Sequence, residues 1–159
     1  MKTNVSTLAV LGLAALFSLS AQAEEKELTA TQVPKAVHEA FQKAYPAAKG
    51  AKYSEETKEG KPVYEVEFKA KGKEIEATYS ADGGLMETEE EIKTSELPQA
   101  VVQAIKQKYP HAALKEAEKI LKPEGTVSGY EVEIVAGKRH LEIELGADGT
   151  IVKTETEKD

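Results

Sequence analysis

Two five-residue stretches decide the fold: Tyr64-Glu65-Val66-Glu67-Phe68 and Tyr130-Glu131-Val132-Glu133-Ile134. Each alternates a large apolar residue with glutamate, the period of a strand that buries one face and wets the other. A two-residue turn at Lys71-Gly72 sets Phe68 opposite Ile75, Val66 opposite Ala77 and Tyr64 opposite Tyr79. A turn at Gly137-Lys138 does the same for Ile134 and Leu141, Val132 and Ile143, Tyr130 and Leu145. A slip of one residue would turn every apolar side chain to water, so the register is strongly specified.

Outward from these hairpins the chain repeats itself. Val33-Pro34 and Tyr45-Pro46 recur as Leu97-Pro98 and Tyr109-Pro110 at an offset of 64. Ala81-Asp82-Gly83 recurs as Ala147-Asp148-Gly149 at an offset of 66, which places two extra residues between helix and hairpin in the second copy. Between the proline pairs, Val33, Val37, Ala40, Phe41 and Ala44 make one apolar stripe at helical spacing, matched by Leu97, Val101, Ala104 and Ile105. Pro34 and Pro98 suit the first turn of a helix, and Pro46 and Pro110 end it; Thr31 and Ser95 are the expected caps. Strands are expected near 49–56, 85–89, 115–120 and 151–156. The fold class expected is α+β: a tandem repeat of two helix-plus-four-strand antiparallel units, with the helices packed on one face of the sheet. The units span 24–91 and 92–159 and are expected to form one curved sheet or two sheets in contact.

Residues 1–23 read as a signal peptide. Lys2 precedes the uncharged run from Leu8 to Leu19, which is too short for a membrane span, and Ala21-Gln22-Ala23 supplies the small residues of a cleavage site. With no cysteine after that run, a lipid anchor on cysteine is excluded. The expected product is periplasmic or secreted, with no membrane insertion once the signal is removed.

Composition narrows the function. The chain has 159 residues, 21 Lys+Arg against 28 Asp+Glu, no Cys and no Trp. Cysteine-ligated metal sites and disulfide scaffolds are excluded, and a net charge of -7 disfavours nucleic acid. His38, His111 and His140 share no ligand spacing, and no nucleophile motif or phosphate-cradling loop is present. The sequence therefore assigns no catalytic residue, no cofactor and no metal ligand.

The notable surface feature is acidic. The hairpin registers oppose Glu67 to Glu76, with Glu65 beside them, and oppose Glu133 to Glu142 and Glu131 to Glu144. Like charges in direct cross-strand opposition destabilise a sheet. These seven residues read either as a solvated face relieved by salt, or as a patch that meets a basic partner or weakly binds a divalent cation.

The helix ending in Tyr-Pro, the Tyr-Glu-Val-Glu strand, the Lys/Gly turn and the Ala-Asp-Gly turn, present twice, resemble the PepSY-like domains of the beta-lactamase-inhibitor-like group. The resemblance spans Leu28–Glu91 and Ile92–Glu157. It implies an exported bacterial module without catalytic residues that binds or inhibits another protein, a peptidase among the candidates.

Overall fold

A computed structural model of the chain describes residues 25–58 and 60–156, so the expected signal peptide over 1–23 lies outside the described residues. The strands are β1 (Lys26–Leu28), β2 (Lys49–Lys58), β3 (Lys61–Ala70), β4 (Lys73–Ser80), β5 (Leu85–Glu91), β6 (Ala113–Leu121), β7 (Val127–Ala136), β8 (Arg139–Gly146) and β9 (Ile151–Thr156). Two helices, α1 (Lys35–Ala44) and α2 (Gln99–Lys108), interrupt them, and a 3-10 turn at Thr94–Glu96 leads into α2.

Both hairpins form in the register that apolar alternation demands. Tyr64, Val66 and Phe68 face Tyr79, Ala77 and Ile75, and Tyr130, Val132 and Ile134 face Leu145, Ile143 and Leu141. The β3–β4 turn takes positive φ at both central residues, 53° at Lys71 and 80° at Gly72, the twist a tight hairpin requires.

The inward residues meet the helix stripes. Val37 and Phe41 of α1 pack with Tyr64, Val66, Phe68, Ala77 and Tyr79. Val101 and Ile105 of α2 pack with Ala117, Val132, Ile134, Leu141, Ile143 and Leu145. Burial of each aliphatic side chain contributes about 1.5–3 kcal/mol. Phe41 adds an edge-on contact with Phe68, ring centroids 5.0 Å apart. The prolines stand just outside the helices: Pro34 and Pro98 are the N-cap residues, and their carbonyls accept the first helical hydrogen bonds, from His38 and Val102. The expected capping by Thr31 and Ser95 is not formed. Neither N-cap carries a side-chain hydrogen bond, and Thr31 instead meets the Thr29 hydroxyl at 3.1 Å.

The expected fold class of two helix-plus-four-strand units is overturned. The strands form one nine-stranded antiparallel sheet in sequential order, β1 to β9, accompanied among the described residues by two α-helices. The first half supplies five strands, because Lys26–Leu28 pairs with β2. More decisively, β5 runs on to Glu91, and residues 88–91 pair with residues 118–121 of β6. Two closed units would each expose a row of unpaired backbone groups along an edge; this pairing satisfies them. On the helix side the seam holds the Glu90–Lys119 ion pair, 2.8 Å, between the two apolar clusters.

Candidate functional site

Strand alternation sends the other set of side chains to the face that carries no helix. There the nine-stranded register aligns rows. Lys52, Glu67, Glu76, Glu89, Ile120, Gly129 and Gly146 succeed one another from β2 to β8. A second row runs Glu91, Glu118, Glu131, Glu144 and Lys153 from β5 to β9, and a third Glu133, Glu142 and Glu155. Ser54, Glu65, Thr78 and Glu87 form a fourth from β2 to β5. All seven glutamates singled out in the sequence stand on this one face.

The face is concave. Residues from Glu56 on β2 to Glu155 on β9 line a single trough of about 1450 Å³. Glu56 and Lys153, far apart along the sheet, are close enough for the carboxylate to favour the charged lysine.

Cations are distributed unevenly. Lys58 reaches Glu65 at 3.2 Å, Glu87 at 3.4 Å and Glu56 at 3.7 Å. Burial alone would neutralise this lysine, but the three carboxylates outweigh it and raise its pKa. Lys52 donates to Glu67 at 2.8 Å, and Lys153 pairs with Glu155 at 2.9 Å. Of these lysines only Lys58 acts on the carboxyls central to the trough, drawing on Glu76 and Glu89 without pairing with either. Among the described residues no ion pair compensates Glu76, Glu89, Glu118 or Glu131 at its centre.

Glu76, Glu89 and Glu131 are pushed toward the protonated form instead. Burial, then the charges of Glu65, Glu89 and Glu118, push Glu76 up to about 9 against the opposing pull of Lys58. Burial, then Glu118 and Glu87, push Glu89 up to about 8, again against the pull of Lys58. Burial, then Glu89, Glu142 and Glu118, push Glu131 up to about 10. Burial also raises Glu65 and Glu118. Glu89 donates its carboxyl proton to Glu118, which raises the first and lowers the second, and Glu131 donates to Glu142. One oxygen each of Glu89, Glu118 and Glu131 lies within 4.8 Å of the others, a spacing that suits one divalent cation. Between Glu65 and Glu87 in the neighbouring row, Thr78 is 1% exposed and its Oγ1 has no hydrogen-bond partner among the described residues.

Glu87, Glu89 and Glu118 escaped the sequence reading. Glu87 to Glu91 is nearly all acidic, so no alternation tells inside from outside. Around Glu118 the period is broken by register shifts between Leu114 and Ala117 and between Ile120 and Leu121. A bulge moves a residue to the other face, and only the pairing partner reveals it.

A family profile described as beta-lactamase-inhibitor-like, PepSY-like matches residues 19–87 and 62–153. No curated protein matches the chain in sequence. Solved structures with a similar fold include a Bacteroides eggerthii protein described as periplasmic, at TM-score 0.61 and 16% identity, covering 78% of this chain and 88% of that one. A DUF2874 family protein of Bacteroides uniformis aligns at TM-score 0.59 and 18% identity, over 77% and 88% of the two chains. A BLIP-like protein of Bacteroides fragilis aligns at TM-score 0.53 and 22% identity, over 77% and 84%. Among the described residues no helix is long and apolar enough to cross a membrane.

Proposed function

The chain belongs to the PepSY-like, beta-lactamase-inhibitor-like family, and from that premise we propose that it is an exported, non-catalytic module that binds a protein partner through the helix-free face of its sheet. The segment it takes is basic. The observation that carries this reading is the centre of the trough, where burial and neighbouring carboxylates raise Glu76, Glu89 and Glu131 far above the ordinary range and Lys58 offsets this only in part for the first two. A lysine or arginine entering there supplies the missing charge, and the carboxyls ionise as it arrives. Glu65, Glu67, Glu133, Glu142 and Glu144 extend the same surface and steer a basic segment toward it. Where that segment borders the partner's active site, occupancy inhibits the partner, a peptidase being one candidate class. A second reading, divalent-cation binding, draws on the convergence of Glu89, Glu118 and Glu131.

Calorimetric titration of the mature chain with pentalysine, and separately with calcium chloride, tests both. The peptide is expected to bind, to weaken as salt rises, and to release protons at pH 7, seen as a binding heat that changes with the ionisation enthalpy of the buffer. Calcium alone giving that behaviour favours the second reading. The absence of any pentalysine binding at low salt overturns the first.

A further inference from the structure

Next to the trough lies a second hollow of about 310 Å³, where the trough's Glu87 and Glu144 meet one lysine, Lys122, and the apolar side chains of Met86, Ile120 and Val152. Its floor is the end of the first cross-strand row, Ile120, Gly129 and Gly146, where side chains give way to bare backbone. Ile120 is 5% exposed at that floor, whereas Met86 and Val152, 45% and 64% exposed, stand at the rim. The large hydrophobic residues exposed among the described residues are Met86, Val127 and Val152, so two of the three gather at one place. Scattered exposed apolar residues need no explanation, but a grouped pair over a buried isoleucine forms a subsite.

At the corresponding row of the first half the chain carries side chains, which line the trough itself. There Glu56, Val63 and Ser80 pair in succession, and Val63 and Ser80 occupy the places of Gly129 and Gly146 at the offset of 66. Gly129 has a structural reason of its own, since a Cβ there would lie 2.4 Å from the Leu145 carbonyl oxygen. The bare floor follows from that close approach.

The two cavities are continuous. Met86, Glu87, Ile120 and Glu144 line both, so a chain leaving the carboxylate trough passes directly between two glutamates onto an apolar seat. We infer that the site reads a composite signal: an extended peptide segment in which basic residues are followed by one aliphatic side chain, the cations in the glutamate trough and the aliphatic group on Ile120 between Met86 and Val152. This inference rests on the trough being the binding surface. The occupant follows from charge complementarity on one side of the shared wall and from apolar surface on the other.

The probes are amidated tetralysine peptides carrying one leucine or one alanine, at either end, titrated into the mature chain. The leucine peptide in the productive orientation is expected to bind about tenfold more tightly than its alanine counterpart, roughly half of what full burial of leucine's three extra carbons would give. In the double variant Met86→Ser, Val152→Ser, the preference for leucine is expected to collapse, the two peptides binding within about twofold of each other. Both positions are exposed, so the variant keeps its fold. Equal affinity for leucine and alanine peptides in the unaltered chain overturns the composite signal and leaves the basic trough standing. Failure of every peptide to bind overturns both. Sedimentation that shows a dimer whose formation the double variant abolishes would assign the apolar seat to a second copy of the chain and sink the inference.

Discussion

Glu131 concentrates the residue-scale argument. Its backbone place was legible, because Tyr130 to Ile134 alternates and Glu131 must face away from the apolar cluster. That it is one of four carboxyls sharing too few cations was not, because Glu89 and Glu118 come from strands whose period is obscured. The sign of the pH effect follows from its raised pKa. A carboxyl titrating near 10 when folded and near the ordinary 4.5 when unfolded binds its proton more tightly in the fold. The stability this confers is complete below about pH 4.5 and is lost as pH climbs through the folded value. Replacing Glu131 with Gln removes the titration while keeping the shape. The variant is expected to melt about 3 °C or more above the unaltered chain at pH 9, equivalent to about 1 kcal/mol for a chain of this size, and within about 1 °C of it at pH 4. Thermal denaturation followed by circular dichroism checks this. A lower melting temperature at both pH values would contradict the repulsion argument.

At the scale of elements, helix placement is set by the Ala-Asp-Gly turns. Gly83 and Gly149 sit at φ of 85° and 87°, and each turn presses against the first turn of a helix. A Cβ on Gly83 would lie 2.6 Å from the Ala36 carbonyl oxygen, and one on Gly149 2.7 Å from that of Ala100. The sequence marked these glycines as turn residues; that the turns also seat the helices required coordinates, since sequence offers no sign of what a turn touches. Gly149→Ala therefore combines a left-handed backbone with a backbone clash, and is expected to cost about 2 kcal/mol or more. The matched control, Gly137→Ala, has a positive φ but nothing within 4 Å of its Cβ, and should cost less. Urea denaturation of the two variants checks the difference, and equal losses would show that the helix contact is immaterial.

On the scale of the whole molecule, the sheet passes from one apolar cluster to the other without an edge, through the pairing of residues 88–91 with 118–121. Unfolding is expected in a single cooperative step, with circular dichroism and tyrosine fluorescence giving coincident melts; two separated transitions would mean that the seam transmits nothing. What the sequence determined by itself is local. Apolar alternation specified both hairpins and their buried faces, helical spacing and prolines bracketed α1 and α2, and the glutamates of β3, β4, β7 and β8 were assigned to one surface. Tertiary structure alone decided how many strands join one sheet, that the acidic face is concave, and that Glu89 and Glu118 complete its centre beside the bare row of Gly129 and Gly146. The reason is physical. Alternation records which side of a strand meets water, but the partner across an edge is chosen by backbone hydrogen bonds, which every residue but proline offers alike.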